Sequence, residues 1–74
     1  MSRERAHDLA HQCTELMRKG NDFPTVWTTV LKVNPLVNGI PESRYEGTRS
    51  VLVIRLITGD RLVFDGENKK FSLK

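Results

Sequence analysis

The sequence predicts an α+β domain: two N-terminal helices packed on one face of a C-terminal antiparallel meander of three strands, with a fourth strand as a candidate. Three observations predict it. Apolar residues recur at helical spacing from Ala6 to Met17; residues 51–57 are Val, Leu or Ile at every position but Arg55; and a turn containing Gly59 joins that run to Leu62, Val63 and Phe64. The pattern announces a fold and not an activity.

The first helix presents Ala6, Leu9, Ala10, Cys13, Leu16 and Met17 along one face. Ser2 is its candidate N-cap, Glu4 sits in the first turn, and Arg18 and Lys19 occupy the last turn before Gly20, the order that the helix dipole and its caps prefer. A shorter second helix is expected after Asn21 and Asp22, with Pro24 as its first helical residue and Asn34-Pro35 as its stop. Phe23, Val26, Trp27, Val30 and Leu31 make its apolar face, and Thr25, Thr28, Thr29 and Lys32 its wet one. The Pro/Gly-punctuated segment that follows is expected to be an ordered loop with Leu36, Val37 and Ile40 pinned to the core.

Residues 51–57 read as a strand because four of them are β-branched and the run is short and closed by a turn. Alternation directs Leu52, Ile54 and Leu56 to one face and Val51, Val53, Arg55 and Ile57 to the other. The parity of the hairpin then fixes its loop. A two-residue loop would put Leu62 and Phe64 on the Arg55 face, whereas the three residues Ile57, Thr58 and Gly59, with Gly59 left-handed, keep them beside Leu52, Ile54 and Leu56. A second turn through Asp65, Gly66, Glu67 and Asn68 brings Phe71 beside Phe64, with Leu73 following on the same face. Ser43, Arg44, Tyr45 and Glu46 are the candidate fourth strand, turning at Gly47-Thr48 and covering an otherwise bare apolar edge.

Length and composition narrow the function classes. Seventy-four residues make one domain, 1–74, and a chain this short buries only about 60% of its unfolded surface. The single cysteine permits no internal disulfide, so a reducing, cytoplasmic setting is expected. The first residues are charged and run straight into an amphipathic pattern without an apolar core segment, so neither a secretion signal nor a membrane span is expected. The net charge of +3, from 12 basic and 9 acidic residues, is spread along the chain and not gathered into the basic stripe usual for nucleic-acid modules.

No arrangement of residues suggests catalysis or a cofactor. His7 and His11 stand one helical turn apart, but two imidazoles are too few for a zinc centre, and Cys13 lies on the opposite, apolar side of the helix. Cys13 is expected to be a buried small hydrophobe and no nucleophile, being mid-stripe and away from the cations that would activate a thiol. Asp60, Asp65 and Glu67 belong to turns, where carboxylates bond the local backbone. Neither an enzyme nor a metal site is therefore expected. The leading expectation is a protein-interaction module whose contact face is Val51, Val53, Arg55, Ile57 and Val63, together with the loop from Asn34 to Arg49, serving a homodimer or another protein. The alternative is a weak nucleic-acid binder using Arg44, Arg49, Arg55, Arg61, Lys69 and Lys70. Val53→Glu is expected to block association without disturbing the fold, because Val53 points away from the core.

Overall fold

The computed structural model describes residues 3–74; the proposed Ser2 cap lies outside them. Helix α1 spans Arg3–Arg18 and helix α2 spans Phe23–Val26, continued without a break by one π turn, Trp27–Leu31. Strands β1 (Glu42–Glu46), β2 (Arg49–Arg55), β3 (Arg61–Asp65) and β4 (Lys70–Leu73) form one antiparallel sheet in the order β1-β2-β3-β4. The architecture is α+β as the sequence predicts, and the candidate fourth strand is formed.

Each turn follows from its residues. At the end of α1 the Gly20 N–H donates to Met17 O and the Asn21 N–H to Leu16 O, a Schellman closure that needs the left-handed Gly20, φ +99°. The Asp22 carboxylate caps α2 by accepting the Thr25 N–H at 3.0 Å. The helix therefore begins at Phe23, one residue before Pro24. It does not remain α-helical. Thr28 and Thr29 turn their hydroxyls back onto the Pro24 and Thr25 carbonyls, which are acceptors the α ladder would use, and the next closure is the wide Lys32 N–H to Trp27 O bond at 2.7 Å. The five-residue step places both Val26 and Leu31 fully inside, with Phe23, Trp27 and Val30 half-buried around them.

The sheet register confirms the loop parity. Arg55 pairs with Arg61, Ile54 with Leu62 and Leu52 with Phe64, so Ile57, Thr58 and Gly59 are the loop and Gly59 is left-handed at φ +92°. Phe64 pairs with Phe71 and Leu62 with Leu73 across the four-residue turn. In that turn Asp65 accepts the Glu67 N–H and the Asn68 amide. The core joins this face to Ala6, Leu9, Ala10, Cys13 and Met17 of α1, to Val26 and Leu31, and to Leu36. Phe23, Phe64 and Phe71 form an aromatic cluster with centroids 4.7–6.1 Å apart.

Three placements differ from expectation. Ile40 is 75% exposed because the chain leaves the core at Gly39, φ +100°, after Leu36 and Val37 have docked. Ile57 is the first loop residue and not a strand residue, since β2 ends at Arg55, so it stands exposed and off the sheet's outer face. Thr14, beside the histidine flank by helical spacing, is buried. Its hydroxyl donates to Ala10 O at 2.9 Å and accepts the Phe71 N–H at 3.1 Å, tying α1 to β4.

Candidate functional site

The outer face of the sheet, opposite the helices, carries most of both sets of residues that the sequence singles out. Register sets its rows: Arg55 beside Arg61 and then Lys74; Glu42 beside Val53, Val63 and Ser72; Arg44 beside Val51, Asp65 and Lys70. Val51, Val53 and Val63 form an apolar cluster of their own and are only 3%, 8% and 5% exposed. Among the described residues no second layer covers them; the long charged residues Arg44, Glu46, Arg61 and Lys74 border the valines, with their heads in water.

Those heads form a lattice of ion pairs. Arg44 and Arg55 reach Glu42 at 3.1 and 3.7 Å, Arg49 reaches Asp65 at 3.1 Å and Glu67 at 3.3 Å, and Lys74 meets Glu46. The guanidinium of Arg44 bonded to Glu42, with Arg55 close by, holds that carboxyl below its ordinary value. Asp65 is raised by desolvation, but the Glu67 N–H, the Asn68 amide and Arg49 outweigh this and leave it lowered. What stays open is a groove of about 140 Å³ with the three valines in its lining and Arg44, Tyr45, Glu46, Arg61 and Lys74 around them.

Of the candidate contact residues, Val51, Val53, Val63 and Arg55 are brought together and Ile57 is not. Of the candidate phosphate-binding residues, Arg44, Arg49, Arg55, Arg61 and Lys70 share the outer face, interleaved with Glu42, Glu46 and Asp65. Lys69 departs from them. It takes a left-handed conformation, φ 51°, in the β3–β4 turn and borders a separate depression beside Phe23 and Phe64. His7 and His11 are both exposed, and among the described residues no three His, Cys, Asp or Glu side chains gather as metal ligands. Burial pushes the Cys13 thiol up to about 12, the reverse of activation. Asp60 accepts the Thr58 hydroxyl at 2.9 Å and lies 3.4 Å from Arg3, so it ties the β2–β3 turn to α1.

The sheet edges are the feature that residue patterns leave hidden. The edge of β4 lies under α1, where Thr14 takes up the Phe71 N–H. Beyond β1, residues 36–38 close the edge of β2: the Asn38 N–H donates to Arg55 O and the Ile57 N–H to Leu36 O, both at 2.8 Å. The edge of β1 is different. Arg61 and Lys74 exchange both backbone bonds, and the alternation of an antiparallel ladder carries that phase across the sheet, so Glu42 and Arg44 bond inward to Val53 and Val51. Ser43 and Tyr45 consequently direct their N–H and C=O groups off the sheet, and the Tyr45 side chain is 78% exposed.

Comparison with protein-family models, curated proteins and solved structures found no match to this chain. Among the described residues, no helix is long and apolar enough to cross a membrane.

Proposed function

We propose that this protein is a non-enzymatic protein-interaction module of a reducing cytosol, which docks another protein on the outer sheet face and the adjoining segment from Asn34 to Arg49. The observation that carries the reading is the groove in that face: an apolar floor of three valines inside a rim of both charge signs. A mixed rim suits the patterned charges of a protein surface. A polyphosphate would meet Glu42, Glu46 and Asp65 among the cations, which weighs against nucleic acid as the ligand. The buried Cys13 is consistent with a compartment where disulfides are not used.

The test is capture from source lysate by the immobilised protein and by Arg61→Glu, which alters the rim and leaves the valines in place. Retention of a defined protein that survives raised salt and nuclease, and is lost in Arg61→Glu, supports the reading. Retention that is nuclease-sensitive and falls steeply with salt would replace it with phosphate binding through Arg44, Arg49, Arg55, Arg61, Lys69 and Lys70.

A further inference from the structure

We infer that the β1 edge accepts an extended segment of a partner protein as a fifth strand, and that it selects a segment in which basic, acidic and basic residues occupy alternate positions. The inference deepens the protein-binding reading and rests on it. Its first support is the contrast between edges. The fold closes the β4 edge with Thr14 and closes β2 with residues 36–38, yet leaves the Ser43 and Tyr45 backbone groups directed into solvent. Such a row of paired donors and acceptors is the template used in strand addition.

Charge decides the occupant. Glu42, Arg44 and Glu46 alternate along β1 on the outer-face side, and directly opposed residues in a ladder favour opposite signs. A second copy of the chain is a poor match. Full antiparallel overlap of two β1 strands would set Arg44 against Arg44 and Glu42 against Glu46. A shift by two residues restores opposite signs only by drawing Pro41, which has no N–H, or the Gly47-Thr48 turn into the ladder. A segment reading basic-x-acidic-x-basic meets all three charges in one register, and the pattern is the same in either direction. The three charges already have partners, Glu42 in Arg44 and Arg55 and Glu46 in Lys74, but every one of these pairs is solvent-exposed and so exchanges partners readily. Tyr45, which is 78% exposed and borders the groove, offers packing to the intervening residues of the segment, for which β-branched side chains are suited.

The probe is a pair of short synthetic peptides, one with the core Lys-Val-Glu-Val-Lys and one with the charge-swapped core Glu-Val-Lys-Val-Glu. Each is titrated into the isotope-labelled protein, with hydrogen exchange read at the Ser43 and Tyr45 amides. The expected result is tenfold or greater slowing of both amides by the first peptide and roughly tenfold weaker binding of the second. Arg44→Glu should transfer the preference to an all-lysine core. Tyr45→Pro, which removes an outward N–H and no ladder bond, should abolish binding with the remaining spectrum retained. Should Tyr45→Pro fail to fold, the two peptides still decide on the unaltered protein. Unchanged exchange at Ser43 and Tyr45, equal binding of both peptides, or a homodimer that protects these amides without peptide would each overturn the inference. Loss of the peptide effect alongside Arg61-dependent capture from lysate would refute the edge and leave the outer-face reading standing.

Discussion

The hydroxyl of Thr14 serves two elements at once, accepting the Phe71 N–H at 3.1 Å while donating to Ala10 O at 2.9 Å. Thr14→Val keeps the shape and leaves a buried N–H without a partner, so it should destabilise by about 1–3 kcal/mol, with Thr14→Ser closer to the unaltered protein. Urea unfolding of the three forms checks this. Helical spacing shows where Thr14 lies on α1, but its partner is 57 residues away, and residue type alone does not distinguish a buried threonine from a wet one. The neighbouring Cys13 is legible in the sequence because it stands mid-stripe. With its thiol raised to about 12 and fully buried, it should label with a thiol reagent only as fast as the chain opens. Labelling at the rate of a free thiol in native buffer would contradict that.

Three carboxyls make an acid-sensitive contribution at the same scale. Asp22 is lowered by its hydrogen bonds to Thr25, Glu42 by its bond from Arg44 and the nearby Arg55, and Asp65 by the bonds and charge that outweigh its desolvation. A carboxyl lowered in the folded state stabilises it above the unfolded value, about 4, and that contribution is lost as pH falls through the folded value. Stability should therefore be flat from neutrality to about pH 5 in these groups' contribution and decline below about pH 4. Asp22→Asn, Glu42→Gln and Asp65→Asn combined should make thermal melts less dependent on pH in that window.

At the scale of elements, the strands were legible because parity and turn chemistry constrain each other. Only a three-residue loop sets Leu62 and Phe64 beside Ile54 and Leu52, and Gly59 supplies the left-handed residue such a loop needs. Gly59→Ala tests that account cleanly. Nothing lies within 4 Å of the added methyl, so the cost is backbone strain alone, about 1–2 kcal/mol, seen as a lower urea midpoint with an unchanged slope. Helix α2 was less legible. Its apolar residues fit an α-helical face, but the threonine hydroxyls that compete for the Pro24 and Thr25 carbonyls open a π turn that hydrophobic periodicity does not register. Ile40 shows the complementary failure. Its apolar side chain predicts a place in the core, yet the bend at Gly39 decides where the chain goes.

At the scale of the whole molecule, the described residues form two helices and a four-stranded sheet, and none of them makes a layer over the sheet's second face. Sequence parity locates that face but not the low exposure of its valines, because that depends on which long side chains border them from strands distant in the sequence. The consequence is that Val53 is a buried residue on a face without a second layer. Val53→Glu would put a carboxylate 8% exposed between Val63 and Glu42, where its nearest register neighbours are an apolar group and a like charge. It should destabilise by about 3 kcal/mol or more, a large part of the roughly 5–10 kcal/mol available to a domain of this size. Arg61→Glu, on the exposed rim of the same groove, should change stability by less than about 1 kcal/mol. Urea melts of the two variants separate the alternatives. If Val53→Glu is as mild as Arg61→Glu, the valines are ordinary solvated sheet residues; if it is severe, loss of binding in that variant reports unfolding, and only rim substitutions can test the surface.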